Sequence, residues 1–422
     1  MDIYRIKGGK KLNGEVAISG SKNAALPIIA ASLLADGETT LMNVPTLVDI
    51  KTICKGIEFL GAKTEHDAKT NILKIKTGPL KNNIIPYDLV KTMRALYYVM
   101  GPMLARIGET VTSLPGGCAI GERPIDIHLS GFEALGAKVE IEHGYVKARA
   151  RKLKGTKFVM RKVSVGATAN IMMASVLANG ETVLENCAME PDITDLGRFL
   201  IQTGADIQGL GTETICIKGV KKLHPVTYSV MPDRIEAGTY LIAGAITRGR
   251  VKINNVVPVH IGSLIHNLKE MGFLISQGDD WVKIEPTKKI KGAIIRTNPF
   301  PGFPTDLQAP MMSLMTTVPG ISVMIETIFE KRYTHVPELR RMGADITLEG
   351  DVSIIKGTKK LSSATVMMSD LRAGAALVIA GLAAENTSEI RRIYHSDRGY
   401  EKLSEKLSSL GADIKRVEGG KG

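Results

Sequence analysis

The residues best suited to chemistry lie in Gly116-Gly117-Cys118-Ala119-Ile120-Gly121-Glu122-Arg123-Pro124-Ile125-Asp126, a glycine-rich stretch with a thiol and, five residues on, a guanidinium. Three glycines let the backbone reach positive φ and bring amides close to an anion, and Pro124 keeps the turn from running straight into a helix. A thiol is unusual in such a loop, because a structural cysteine normally packs as a small hydrophobe in an apolar strand or helix. The plain alternative is a flexible hairpin tip that happens to contain a cysteine. The other three cysteines have ordinary surroundings. Cys54 falls on a helical pattern, and Cys187 and Cys216 fall in strand-like runs, where core packing accounts for them.

A second set of candidates sits at six corresponding helix starts: Ser21-Lys22-Asn23, Thr92-Met93-Arg94, Gly166-Ala167-Thr168, Asp233-Arg234-Ile235, Thr305-Asp306-Leu307 and Asp370-Leu371-Arg372. Four carry a cation where the backbone already favours anions, which suits a phosphate-bearing ligand. Helix capping is the competing explanation, above all for Asp233 and Asp370. Asp306 follows Phe300-Pro301-Gly302-Phe303-Pro304-Thr305, a proline-fixed approach that sets a carboxylate beside a cleft between domains. In a cationic surround it stays ionised and can accept a proton, and an N-cap is again the alternative. Late in the chain, Arg398 in Tyr394-His395-Ser396-Asp397-Arg398-Gly399-Tyr400 offers a further anion contact.

The elements that position these residues recur. A helix ending in Gly-Ala or Gly-Phe, followed by a short strand, appears at Gly61-Ala62, Gly136-Ala137, Gly204-Ala205, Gly272-Phe273, Gly343-Ala344 and Gly411-Ala412. The interval is about 70 residues throughout, which predicts six structural repeats. Glycine just past a helix adopts the left-handed conformation that closes it, and the residues behind alternate as a strand does, as in Asp345-Ile346-Thr347-Leu348. Helices such as Ala373-Gly374-Ala375-Ala376-Leu377-Val378-Ile379 are apolar on nearly all sides and should be buried. Buried helices with sheets outside make an inside-out α/β barrel, with three repeats in each of two domains. The sixth repeat breaks off where others continue with Lys-Gly and a strand, and Ile6-Lys7-Gly8 at the other end of the chain would supply the missing piece. The expected division is residues 22–230 for the first domain, carrying the Cys118 loop, and residues 1–21 with 231–422 for the second. The chain then crosses twice between domains, which favours a hinged cleft.

The 422 residues exceed one ordinary core. Only 5% are aromatic, so the interior must be mainly aliphatic. The N-terminus lacks a secretory signal pattern and no long uninterrupted apolar run occurs, so a cytoplasmic protein without membrane insertion is expected. The cysteines and histidines show no metal-ligand spacing, and neither a metal nor a cofactor is expected. A net charge of +12 points to acidic partners. The lysines, however, fall in short groups, Lys10-Lys11, Lys221-Lys222, Lys288-Lys289 and Lys359-Lys360, each near glycine or proline. Without an aromatic-interleaved stripe they read as solvated turns, and nucleic acid is not expected.

Several stretches together resemble the UDP-N-acetylglucosamine 1-carboxyvinyltransferase family from end to end. They are Ser19-Gly20-Ser21-Lys22-Asn23-Ala24-Ala25-Leu26-Pro27, the Cys118 loop through Asp126, Pro304-Thr305-Asp306, Glu326-Thr327-Ile328-Phe329-Glu330 and Asp397-Arg398-Gly399-Tyr400. The resemblance implies two inside-out α/β domains and a monomeric enzyme that transfers enolpyruvate from phosphoenolpyruvate to the 3'-hydroxyl of UDP-N-acetylglucosamine by addition and elimination. It implies phosphoenolpyruvate contacts from Lys22, Asn23, Arg123, Arg372 and Arg398, with Lys22 and Arg398 also counted among the catalytic residues. Cys118 would deliver a proton to C3, and as a nucleophile would be alkylated by fosfomycin. Asp306 would take the proton of the sugar hydroxyl. The nucleotide sugar would lie along Asn23, Arg94, Arg123, Pro124, Ile125, Asp126, Ile127, Lys162, Val163, Ser164, Val165, Gly166, Asp306 and Ile328, and closure would bring the Cys118 loop down as a lid.

Glu122 departs from the small or neutral residue common in the family at that place, which bears on the thiol's acidity. The sister enzyme making 5-enolpyruvylshikimate 3-phosphate shares fold and donor but has no equivalent cysteine, so Cys118 and the Arg123-Pro124 segment argue against it. A non-catalytic anion-binding repeat protein is the alternative from another class, and an unmatched carboxylate at Asp306 argues against that.

Overall fold

The computed structural model describes residues 2–91, 93–114 and 125–418, and of Arg94 only the backbone. The chain forms two compact units. One gathers residues up to Ser19 with those from Pro232 onward, and the other runs from Gly20 to Met231 apart from the stretch not described. Each unit has its own apolar core.

Six four-stranded sheets share one plan among the described residues. A short edge strand runs parallel to the second strand, the third is antiparallel to the second, and the fourth is antiparallel to the third. In the sheet Lys157–Val159, Glu181–Glu185, Thr214–Lys218, Asp206–Gln208 the register is Lys157 opposite Val183, Val183 opposite Cys216 and Gln208 opposite Cys216. The second strands Glu181–Glu185, Arg250–Asn254 and Ile321–Ile325 have one burial pattern, with their second and fourth side chains inward, as a one-sided sheet demands.

The edge strands link the sheets in closed sets of three. In the Gly20–Met231 unit, Ile84–Ile85 joins the second sheet, Lys157–Val159 the third, and Thr227–Ser229 returns to pair with Gly37–Met42 of the first. In the other unit Ile294–Arg296 and Thr365–Met367 play the same part, and Asn13–Ala17 closes the set by pairing with Arg250–Asn254. The third strand of the last sheet is Asp2–Lys7, antiparallel to both Thr387–Arg391 and Asp413–Glu418. The Lys-Gly residues that follow these third strands behave alike. Gly8, Gly219 and Gly357 donate their amides to Asn386, Gly180 and Gly320 at 3.0, 2.9 and 2.9 Å.

Inside the sheets lie the helices Lys22–Ala31, Met100–Ile107, Val165–Ser175, Arg234–Ile246, Gln308–Met315 and Leu371–Ala383. All thirteen residues of Arg234–Ile246 are buried. In its unit this helix, Gln308–Met315 and Leu371–Ala383 all touch one another. In the other unit Met100–Ile107 approaches Val165–Ser175 so closely that a Cβ on Gly101 would lie 2.3 Å from the Asn170 carbonyl oxygen. The outer helices end as their glycines foretell: Gly61, Gly136, Gly204, Gly272, Gly343 and Gly411 have φ of 113, 91, 104, 94, 84 and 92°. The four lysine pairs singled out above are exposed. Cys54 is in the helix Val48–Leu60 and Cys216 in a strand, but Cys187 lies just beyond the strand Glu181–Glu185. There it is buried and donates to the Leu184 carbonyl at 3.4 Å, still a packing role. No helix among the described residues is long and apolar enough to cross a membrane.

Candidate functional site

Each of the six positions singled out in the sequence lies at or within the first residues of an inner helix or the short turn leading into it, as one fold plan requires. In the Gly20–Met231 unit, Ser21 caps Lys22–Ala31 by accepting from the Ala24 amide at 3.2 Å, while its hydroxyl donates to Asp192 at 3.0 Å. Lys22 follows, nearly buried, with Nζ 3.0 Å from Asp49 Oδ2, and Asn23 is half-buried. Arg94 opens a 3-10 turn, Arg94–Val99, against which the Lys22 helix packs.

The described parts of two segments expected to hold a nucleotide sugar lie near one another in this unit. Ile125 is buried just ahead of the helix Asp126–Ala134, whose first residues are Asp126 and Ile127. Asp126 forms an ion pair with Arg161, next to the exposed Lys162. Val163, Ser164, Val165 and Gly166 are half-buried, and Ser164 caps the inner helix through the Ala167 amide at 3.3 Å. Gly166 faces the other segment, since a Cβ there would sit 3.1 Å from the His128 ring. That ring is held by Asn170 Nδ2 at 3.0 Å, and Asn170 also spans to the Tyr97 carbonyl at 2.9 Å. Backbone amides at a helix start beside a glycine form a surface suited to an anion.

The other unit carries the charged array. Asp306 stands in the turn Thr305–Leu307 that leads into Gln308–Met315. Asp306 is not the unmatched carboxylate expected from the sequence: it accepts from Arg332 Nη2 at 2.7 Å and from Arg372 Nη2 at 2.8 Å. Both guanidiniums are 5% exposed. Burial works to raise the Asp306 pKa, but Arg372 and Arg332 outweigh it and hold the carboxyl well below the usual range. Burial opposes the charge on Arg372 in turn, and Asp306 more than offsets this, so its guanidinium is held more firmly protonated than usual. Arg372 also donates to Tyr400 OH at 3.2 Å and lies over that ring at 5.5 Å.

Asp233 and Asp370 are caps. Asp233 accepts from the Ile235 and Glu236 amides at 2.8 and 3.0 Å, and Asp370 from those of Arg372 and Ala373 at 2.9 and 3.0 Å. Asp370 therefore sets the first turn that carries Arg372. Arg398 is half-buried at the end of the turn Ile393–Arg398, which packs on the Leu371–Ala383 helix. Ile328 is half-buried in the loop after Ile321–Ile325. Cys118, Arg123 and Pro124 lie outside the described residues.

Two of these residues carried no sequence signal. Arg332, in Glu330-Lys331-Arg332-Tyr333, looks like one more surface cation, yet it is 4% exposed. Asp49 is one acidic residue on an amphipathic helix, and only the fold sets it against Lys22.

Within this second unit two buried arginines, one of them at the start of an inner helix, clasp the Asp306 carboxylate at another helix start. The family described as EPSP synthase (3-phosphoshikimate 1-carboxyvinyltransferase) matches residues 6–407, and the chain belongs to it. Within that class the chain is 54% identical over 418 residues to UDP-N-acetylglucosamine 1-carboxyvinyltransferase of Geotalea uraniireducens (strain Rf4), covering 99% of this chain and all of the relative. The protein of that name from Geobacter metallireducens (strain ATCC 53774 / DSM 7210 / GS-15) matches with the same identity and coverage. Among solved structures, the enolpyruvyl transferase NikO from Streptomyces tendae superposes with a TM-score of 0.88 at 24% identity, over 99% of both chains. EPSP synthase from Acinetobacter baumannii does so with a TM-score of 0.75 at 19% identity, over 99% of this chain and all of the other. These two likenesses establish the inside-out α/β fold.

Proposed function

We propose that the protein transfers the enolpyruvyl group of phosphoenolpyruvate to the 3'-hydroxyl of UDP-N-acetylglucosamine, as the first committed step of peptidoglycan synthesis. The observation that carries this reading is a carboxylate held between two buried arginines, in a chain 54% identical from end to end to transferases of that name. We read residues 22–230 as one enolpyruvyl-transferase domain and residues 1–21 with 231–422 as the other, acting together as a cytoplasmic monomer.

The sugar hydroxyl oxygen adds to C2 of phosphoenolpyruvate while C3 takes a proton from the Cys118 thiol. The resulting ketal loses a C3 proton and expels phosphate, leaving the enol ether. Lys22, Arg123, Arg372 and Arg398, with Asn23, neutralise the donor's phosphate and carboxylate. The nucleotide sugar lies along Arg94, Arg123–Ile127, Lys162–Gly166 and Ile328.

Asp306 takes the hydroxyl proton, and its surroundings state when it can do so. Clasped by Arg332 and Arg372, it is a weak base. An anionic donor that draws Arg372 toward itself loosens the clasp and raises the basicity of Asp306, so the base is strengthened by the substrate it serves.

The test is phosphate release from phosphoenolpyruvate with UDP-N-acetylglucosamine, beside a Cys118→Ala variant and a fosfomycin-treated sample. Release that requires the nucleotide sugar and is lost on both treatments supports the reading. Release only with shikimate 3-phosphate transfers the protein to the sister activity, and none with either acceptor overturns the proposal.

A further inference from the structure

Glu326 is buried with 1% of its surface exposed, and among the described residues no Lys, Arg or His side chain pairs with its carboxylate. Four donors converge on it instead. Oε1 accepts from Thr297 Oγ1 at 3.0 Å, from the Ile328 amide at 2.9 Å and from the Phe329 amide at 3.1 Å. Oε2 accepts from Thr305 Oγ1 at 2.9 Å. A buried carboxylate without a cation carries a substantial desolvation cost, offset here only by a full set of hydrogen bonds.

We propose that Glu326 is a positioning residue that fixes both the Asp306 base and the Ile328 loop from one buried carboxylate. The inference rests on the roles given above to Asp306 and Ile328. One oxygen organises the loop, because the Ile328 and Phe329 amides both turn toward it. The other oxygen fixes the Thr305 hydroxyl, which accepts from Arg332 Nη1 at 2.8 Å. The same guanidinium reaches Asp306 through Nη2 at 2.7 Å. Thr305 thus orients the planar fork that orients the base.

The direction of the protons explains why a carboxylate is required. Thr297 Oγ1 accepts from the Thr327 amide at 2.9 Å, and its own proton finds Glu326 Oε1 at 3.0 Å, nearer than the Ile325 carbonyl at 3.4 Å. Thr305 Oγ1 likewise accepts from Arg332 and gives its proton to Glu326. A carboxylate accepts everywhere, whereas an amide must present N–H on one side. In Glu326→Gln that N–H would face the Thr305 hydroxyl. The hydroxyl would then accept twice, its own proton would lose a partner, and the Arg332 fork would shift.

The experiment compares wild type, Glu326→Gln, Thr305→Val, Thr305→Ser and the Glu326→Gln/Thr305→Val double variant in the phosphate-release assay, well below each variant's melting temperature. Glu326→Gln and Thr305→Val are expected to lower kcat about ten- to hundredfold, the range that misplacement of a reacting group produces. Thr305→Ser keeps the hydroxyl and should stay within about threefold of wild type. Only Glu326→Gln should also raise the KM for the nucleotide sugar, since the neutral amide oxygen it leaves facing the Ile328 and Phe329 amides is a weaker acceptor than the carboxylate. The double variant should be no slower than the slower single, because both changes break one chain of contacts. Values for Glu326→Gln and Thr305→Val within about threefold of wild type, or single losses that multiply in the double variant, overturn the proposal. If Glu326→Gln does not fold, the contrast between Thr305→Val and Thr305→Ser decides. A wild-type protein that releases no phosphate refutes the proposed function itself, and this inference with it.

Discussion

Replacing Asp306 with asparagine keeps the shape of the side chain and removes the charge between two guanidiniums. Charge centres roughly 4 Å apart interact by about 4 kcal/mol at an effective dielectric constant of about 20, so each arginine loses an attraction of that order. Arg332 and Arg372 are 5% exposed and cannot turn to water without disturbing the inner helices. Removing one partner of a buried ion pair typically costs about 3–5 kcal/mol. Asp306 keeps 26% of its side chain exposed, which places the expected loss near the lower end, about 3 kcal/mol. For a unit of about 200 residues this lowers the melting temperature by roughly 6–12 °C. Differential scanning calorimetry of wild type, Asp306→Asn, Arg332→Met and the double variant measures it. The double variant should be less destabilised than the sum of the singles by at least about 1 kcal/mol, because removing a cation relieves the one left opposite it. Additive losses, or an Asp306→Asn protein that melts within about 2 °C of wild type, would show that the carboxylate is not what holds the two arginines together.

Other outcomes follow from single sites. Buried His335 has its pKa pushed down to about 4 by desolvation, whereas the unfolded chain takes up the proton near 6.5, so stability is full above pH 6.5 and falls as pH drops toward 4, by up to about 3 kcal/mol. His335→Gln should flatten that part of the stability profile in acid denaturation series, and an unchanged slope would count against His335 as its source. Lys22→Met leaves Asp49 without that cation and should destabilise by about 3 kcal/mol, while Lys22→Met/Asp49→Leu should recover stability but release no phosphate. A double variant that regains activity would remove Lys22 from the site. A Cβ on Gly357 would lie 1.7 Å from the Val318 carbonyl oxygen, so Gly357→Ala should cost at least about 2 kcal/mol in urea denaturation; a neutral effect would mean that the turn shifts freely.

Much of the architecture could be read from spacing. Glycines at a fixed interval mark helix ends because only glycine takes left-handed φ without strain, and all six do so. Helices apolar on every side had to be internal, and the truncated last repeat pointed to Ile6-Lys7-Gly8, which now extends from a strand between Thr387–Arg391 and Asp413–Glu418. The helix-start positions were legible for the same reason: one unit repeated six times places corresponding residues alike, so departures such as Lys22, Asp306 and Arg372 stand out.

Which partner each of those residues meets was not legible. Asp49 is 27 residues from Lys22, Arg332 is 26 from Asp306, and Arg372 is 66 from it. No local period links such pairs, and nothing in Glu330-Lys331-Arg332-Tyr333 separates a buried arginine from a solvated one. The sequence by itself determined the repeating unit, its chain order and the kinds of charge at each helix start, since these depend on local periodicity and backbone preference. Only the tertiary structure decided that Asp306 lies clasped rather than free and that Glu326 ties the Thr305 turn to the Ile328 loop. Charge pairing and proton direction depend on distances across the fold, and in a buried site those distances set whether a carboxylate is a base, a counter-ion or a strut.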